Sequence, residues 1–432
     1  MSEWIDITLE EVATIQIGGT PTRAISSYWS NEYGSGFPWV SIADLKHSVV
    51  TETKERITER GIKNSNTKLI NKGTLIMSFK LSIGRVAMTG IDLFTNEAIA
   101  AIIPKDNRID SNLLYYILPV ATQKAVTDTA VKGATLNKSS LGKLCLRVPS
   151  EPRQQEKIAE ILQTVDRAIA HTEALIEKYH QIKAGLMHDL FTRGIGADGK
   201  LRPTREEAPE LYQESAIGWI PREWELKPLE YGLSASPKNG YSPKEVENWQ
   251  GVYVLGLSCL TKNGFSPAHL KNAPKTALRS SAKLEDGDFL ISRSNTQELV
   301  GLCGIYRDIG HDTIYPDLMM KLRLNRNVVA EFLEQYLLSQ ATRQRISAIA
   351  VGTSGSMVKI NATTLKSLKV VYPDPSEQKE IVNKLRPIMN HIRCLETQLN
   401  KLQKQKSGLM HDLLTGKVPV KVNPDEVDHI SN

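Results

Sequence analysis

Residues 151–194 read EPRQQEKIAEILQTVDRAIAHTEALIEKYHQIKAGLMHDLFTRG, and residues 374–417 read DPSEQKEIVNKLRPIMNHIRCLETQLNKLQKQKSGLMHDLLTGK. The second stretch repeats the first without a gap, 223 positions further on. Pro152 matches Pro375, Gln155 matches Gln378, and Ile158, Leu162, Ile169 and Lys183 match Ile381, Leu385, Ile392 and Lys406. Both copies carry Gly-Leu-Met-His-Asp-Leu, at 185–190 and 408–413. A period this long marks duplication of a whole domain with its helix, not a solenoid of short units.

Each copy has the apolar spacing of one long amphipathic helix. In the second, a seven-residue frame puts Ile381, Ile388, Leu395, Leu402 and Leu409 in one row and Leu385, Ile392, Leu399, Lys406 and Leu413 in the other. These are the two core rows of a coiled-coil seam. The first copy has Ile158, Val165, Thr172, Tyr179 and Leu186 beside Leu162, Ile169, Ile176, Lys183 and Leu190, the same seam with more polar interruptions. Pro152 and Pro375 suit a first helical turn, where a missing N–H costs nothing, and Pro387 predicts a kink. Two matched seams in one chain are expected to pack on each other. Because short crossings return the chain to its starting side, the pairing should be antiparallel.

The chain of 432 residues, 41% apolar and 24% charged, has the composition of an ordinary globular protein of two or three domains. No stretch approaches the roughly 20 apolar residues that span a bilayer, and MSEWIDITLEEV has no basic start followed by an apolar run. A cytoplasmic protein with no membrane partner is expected. Cys145, Cys259, Cys303 and Cys394 stand far apart, against both a zinc site and a disulfide framework, and are expected to be small, mostly buried side chains. The net charge is +6. Lys and Arg exceed Asp and Glu by 17 to 14 over residues 1–150 and by 18 to 14 over 223–373, so the basic excess lies between the repeated helices. That placement suits a polyanionic partner.

Residues 1–150 form a first domain, with short strands expected within 37–45, 73–79, 84–88 and 98–104. A helix from Ser111 to Val126 should turn Leu113, Leu114, Tyr116, Ile117 and Val120 to the core. Residues 151–195 are the first long helix, and 196–222 a Gly- and Pro-rich linker that reads as an ordered but irregular crossing. Residues 223–373 are a second domain, 374–416 the second long helix and 417–432 a tail. The second domain repeats the first in plan but little in sequence: YVLGLSCL at 253–260 echoes WVSIADL, and DGDFLISR at 286–293 echoes KGTLIMSF. The fold class is α/β in the mixed, α+β sense.

Catalytic motifs are missing where chemistry would need them. There is no GxxxxGK[ST] phosphate loop and no Asn- or Asp-Pro-Pro-aromatic tetrapeptide of an amino methyltransferase. Pro373, Asp374, Glu377 and Lys379 mimic a nuclease pattern, but they crowd one helix start, where Asp374 caps and Glu377 completes a capping box. His188–Asp189 and His411–Asp412 are helix neighbours pointing about 100° apart, so neither pair is an acid–base dyad. With Leu186 and Leu409 they are candidates for subunit docking. For DNA, Lys80 and Arg85 follow one strand, and Arg293, Asn295 and Gln297 hold the same place in the second domain. Arg reads guanine, and Asn or Gln reads adenine, through paired hydrogen bonds. Lys132, Lys138 and Lys359, in Gly-led loops, are candidates for holding phosphates.

The chain resembles the specificity subunit of type I restriction-modification enzymes. The resemblance is carried by P-x-x-Q-x-x-I at both helix starts, GLMHDLFT and GLMHDLLT at their ends, ESAIGWIPREW at 214–224, and the doubled plan. It implies two target-recognition domains separated by two long antiparallel coiled-coil helices, a pseudo-two-fold internal repeat. It further implies a noncatalytic subunit that reads a bipartite, asymmetric double-stranded DNA target, one domain per half-site. Such a subunit scaffolds two methyltransferase (modification) subunits and restriction/motor subunits. No cofactor is expected on this chain; S-adenosylmethionine, ATP and Mg2+ belong to the partners. The N-terminus departs from the pattern in lacking the IGWIP element that precedes the second domain. Two other classes stand beside this one: a coiled-coil scaffold without DNA binding, and a methyltransferase or nuclease in its own right. Helices of about 40 residues at about 1.5 Å per residue place half-site centres within roughly 17 base pairs.

Overall fold

A computed structural model describes residues 3–30, 35–80, 82–128, 136–352 and 357–421. The repeated stretches form helices Pro152–Thr192 and Pro375–Leu414, each opening on its proline. Pro387 lies inside the second helix, which runs on to Leu414. The chain divides into two units, residues 1–173 with 397–432 and residues 174–396. Each unit therefore holds one α/β domain, the first half of the long helix that follows it and the second half of the other long helix.

Both domains are built to one plan. In the first, strands Ala13–Ile17, Ile99–Pro104, Leu75–Ser78 and Val86–Thr89 lie in that order, with Val49–Val50 at the edge. The second repeats the order with Leu233–Asn239, Met319–Leu324, Phe289–Ser292 and Cys303–Ile305. The register repeats as well: Ile99 faces Ser78 as Met319 faces Ser292. A smaller sheet in each contains one parallel pair, Phe37–Val40 with Phe94–Thr95 and Val252–Leu255 with Asp312–Ile314. Behind the main sheet lies helix Ser111–Asp128 in the first domain and Ala330–Leu338 in the second. A further helix, Gln340–Ile349, follows in the second domain and escaped the sequence reading because its apolar side is short. Val120, expected in the core, is 50% exposed, one residue past the Pro119 that lies inside this helix.

The start of each long helix is pinned to its own domain by the glutamine of P-x-x-Q. Gln155 Nε2 donates to the Arg108 and Pro149 carbonyls at 2.9 and 2.8 Å, and its Oε1 accepts from Asp110 N at 3.0 Å. Gln378 does the same with Asn327 O, Pro373 O and Val329 N, at 2.9, 2.9 and 2.8 Å. Three bonds per side chain satisfy loop and terminal groups that would otherwise be buried unpaired.

The seam does not pack helix on helix along its whole length. Ile158 and Leu162 enter the first domain's core beside Met77, Leu113 and Leu146, and Leu413 closes that cluster. Ile381 and Leu385 join Ile291, Leu333 and Val370, with Leu190 and Phe191 closing the second. The two helices thus do pack on each other there, but as part of each domain's core and not as an isolated seam. Further along, Ile392 and Leu395 are buried, whereas Val165, Ile169, Ile176, Ile388, Leu399 and Leu402 are half-buried.

Within each unit the two helix halves run antiparallel. In the first, Lys406 Nζ lies 2.6 Å from Asp166 Oδ1 and Gln154 Nε2 donates to Val420 O at 3.0 Å. In the second, the Tyr179 and His391 rings are 4.3 Å apart, and Ile195 N donates to Glu377 Oε1 at 2.8 Å. Lys183, the counterpart of Lys406, is buried. Loss of solvent pushes its ammonium pKa down, and Glu334 and Glu396 oppose that shift.

Three further expectations are corrected. The linker is not irregular: it holds a turn at Pro209–Leu211 and an antiparallel hairpin, Tyr212–Ser215 with Gly218–Pro221. Glu377 does not complete a capping box. Its carboxylate takes both Arg202 guanidinium nitrogens at 2.6 and 3.1 Å and Trp224 Nε1 at 3.0 Å, while Asp374 alone caps through Ser376 N at 2.8 Å. Only Cys259 and Cys303 are buried; Cys145 and Cys394 are exposed.

Candidate nucleic-acid interface

In the first domain Lys80 and Arg85 bracket a tight loop between strands Leu75–Ser78 and Val86–Thr89. Ser78 anchors the loop: its hydroxyl donates to Ser82 O at 2.6 Å, its amide donates to Arg85 O at 2.9 Å, and its carbonyl accepts from Gly84 N at 2.9 Å. The Arg85 backbone is held while its side chain is exposed. Lys80 is half-buried, its ammonium 5.8 Å from the Phe79 ring. Lys138 opens the short helix Lys138–Gly142, which Asn137 caps through Ser140 N at 2.9 Å, and is exposed. Lys132 lies outside the described residues.

In the second domain, strands Ser294–Asn295 and Val358–Lys359 pair antiparallel, with Ser294 opposite Lys359. Ile360 N donates to Arg293 O at 2.8 Å. This ribbon places the backbones of Arg293, Asn295 and Lys359 on adjoining strands from stretches about 65 residues apart, with Lys359 on the face of Ser294 and with Arg293 and Asn295 on the other. Asn295 Oδ1 accepts from Thr296 N at 2.9 Å. Gln297 is less available than its sequence suggested, because its Nε2 is given to Ser347 O and Oγ at 2.5 and 3.0 Å. Arg293 donates to Asp317 O at 3.4 Å, and its Nε is buried without a hydrogen-bond partner among the described residues.

A polar cleft of about 660 Å3 in the first unit was missed by sequence reasoning. It is lined by Thr20, Lys63, Asn64, Asn66 and Glu97, with Gly18 and Gly19 at its floor. The Thr20 hydroxyl donates to the Glu97 carboxylate, which holds the Glu97 pKa below the usual carboxylate range; burial opposes that, and Lys80 and Arg23 add to it. Arg23 stacks 3.9 Å over Trp29 and pairs with Glu55. A signal was there to be read: Gly18-Gly19-Thr20-Pro21 returns as Gly240-Tyr241-Ser242-Pro243, outside the repeated helices.

At the end of the first long helix, the second unit has a groove of about 1150 Å3, lined by Met187, His188, Phe191, Trp219, Arg343 and Arg345 among others. His188 is exposed there, while Leu186 packs against its own core and Asp189 lies 3.9 Å from Arg193. In the first unit His411 is exposed, Leu409 packs against the core and Asp412 lies 3.7 Å from Lys417. Among the described residues no helix is long and apolar enough to cross a membrane.

A duplicated mixed α/β domain, joined through two long helices and presenting basic and amide side chains on equivalent loops, is the architecture of a DNA specificity protein. The family model for the type I restriction modification DNA specificity domain matches residues 1–180 and again 221–404, and the chain belongs to that family. It is 28% identical over 233 residues to the MjaIX specificity subunit of Methanocaldococcus jannaschii, covering 52% of this chain and about half, 51%, of that relative. It is 22% identical to the MjaVIII specificity subunit of the same organism, covering 85% and 84% of the two chains. It is 26% identical to the EcoKI specificity subunit of Escherichia coli, covering 62% and 56%. The fold matches the crystal structure of the S subunit of a type I restriction-modification system from M. genitalium, with TM-score 0.56, 15% identity and 95% and 96% coverage.

Proposed function

We propose that this chain is the DNA-reading specificity subunit of a type I restriction-modification complex, recognising a split, asymmetric target with one domain per half-site. The carrying observation is that both domains keep the same sheet and register while the side chains on equivalent loops differ, Lys80 and Arg85 against Arg293 and Asn295. Identical scaffolds with different reading groups suit two different half-sites. Lys138 and Lys359 serve as phosphate contacts, which position without specifying.

The chain acts as a noncatalytic subunit. Methylation uses S-adenosylmethionine on two modification subunits docked at the matched helix ends, and cleavage uses ATP and Mg2+ on restriction subunits. The groove beside His188 supports docking at that end. The test is selection from duplexes with long randomised segments, followed by footprinting with the modification subunits. Two fixed blocks with centres within roughly 17 base pairs are expected from helices of 41 and 40 residues at about 1.5 Å per residue. One continuous block would overturn the bipartite reading.

A further inference from the structure

The two domains share little sequence, yet one small arrangement recurs in both at the same register. Ile17 faces Ala100 as Asn239 faces Met320, so Gly18 and Gly240, Thr20 and Ser242, and Glu97 and Asp317 occupy equivalent positions. A Cβ on Gly18 would overlap the Thr95 carbonyl oxygen, and one on Gly240 the Tyr315 carbonyl oxygen. The next amides, Gly19 N and Tyr241 N, donate to those same carbonyls at 2.8 and 2.9 Å. This close approach fixes the following hydroxyl on the carboxylate: Thr20 on Glu97, Ser242 on Asp317. A proline, Pro21 or Pro243, then turns the chain away.

Both carboxylates are exposed, and each sits beside a cation of the predicted reading loop. Lys80 and Arg23 act on Glu97, and Arg293 donates to the Asp317 carbonyl. A carboxylate placed where a polyanion is to be bound is repelled by phosphates. It is useful only if it meets the edge of a base. There it accepts a hydrogen bond from an exocyclic amine, cytosine N4 or adenine N6, which only those bases present in the major groove. In the first unit the surrounding cleft adds Asn66, an amide of the kind that reads adenine, and Lys63, while Asn64 Nδ2 is already given to Arg60 O at 2.8 Å.

We propose that Thr20–Glu97 in the first domain and Ser242–Asp317 in the second are the paired specificity-determining acceptors, each reading a base amine in its own half-site. This rests on the DNA-reading function proposed above. The test uses the full chain assembled with its modification subunits and a duplex library randomised across both half-sites, with thermal unfolding of each variant in parallel. Glu97→Gln replaces a pure acceptor by a group that also donates. It should lower the preference for A or C at one position of one block by roughly 10- to 100-fold, leaving the other block unchanged. Asp317→Asn should do the same in the other block only, and Thr20→Val should weaken the block that Glu97→Gln alters. Unchanged preferences in all three variants, or equal loss in both blocks with a lowered melting temperature, would reject the assignment. If the unaltered chain selects no sequence at all, the DNA-reading function falls with it, which separates the two failures.

Discussion

Glu377 is the residue on which the linker closes. Its two oxygens accept from Ile195 N, both Arg202 guanidinium nitrogens and Trp224 Nε1, and the Arg202 side chain is only 8% exposed. Truncating it leaves a buried guanidinium, an indole N–H and a backbone N–H without their acceptor. Glu377→Ala should therefore destabilise the second unit by about 3–5 kcal/mol, seen as an earlier transition in denaturant unfolding. Glu377→Gln keeps one acceptor and should cost less. At the matched position the first unit has Gln154, whose Nε2 donates to Val420 O at 3.0 Å. Sequence alone placed Glu377 in a helix cap, a reasonable local reading; its real partners lie more than 150 residues away and no local pattern announces them.

At the scale of elements, burial along the seam is uneven, and the heptad pattern by itself treats its positions alike. Leu395 is 7% exposed, whereas Leu402 is half-buried. Leu395→Ala should cost about 2–5 kcal/mol, the range for buried large-to-small changes, and Leu402→Ala distinctly less, by thermal or denaturant unfolding. The matched helix ends carry a second expectation. Asp189 and Asp412 are part-exposed, each near a single cation. If two modification subunits dock as proposed, reversing both, Asp189→Lys with Asp412→Lys, should lower their number while the chain stays folded, by native mass measurement. Finding one subunit on the unaltered chain would reject equivalent docking surfaces. Helices and strands were legible from periodicity because their side chains face one dominant environment. The hairpin in the linker was not, because Gly and Pro marked turns while the short strands between them lack a long alternating pattern.

For the whole molecule, the division of each unit between two distant stretches has a consequence for truncation. A fragment of residues 1–196 keeps the first domain and the first long helix but loses Leu413, which closes the core around Ile158 and Leu162, and Lys406, which pairs with Asp166. A second copy of the fragment offers replacements at the repeat offset: Leu190 for Leu413 and Lys183 for Lys406. The fragment should form a homodimer that selects a palindrome built from the first half-site. A folded monomer in sedimentation, or retention of the asymmetric site, would show that the two helix ends are not interchangeable.

The sequence by itself determined the duplication, the two long helices with their prolines at the start, the antiparallel expectation and the strand-rich domains, because each is written as repetition or periodicity along the chain, while the family was legible only as a resemblance carried by particular motifs. Tertiary structure decided what those patterns serve. The ends of the seam pack into domain cores together with the end of the other long helix. The P-x-x-Q glutamines became three-bond clamps, because the loop carbonyls they meet exist only once each domain is closed. Of the residues proposed to read DNA, Arg293, Asn295 and Lys359 fell on one ribbon, Gln297 gave its amide to Ser347, and Thr20 and Glu97 came together across 77 positions. Such meetings depend on strand pairing between remote segments, and pairing partners are chosen by the packing of the whole sheet, not by any local run of residues.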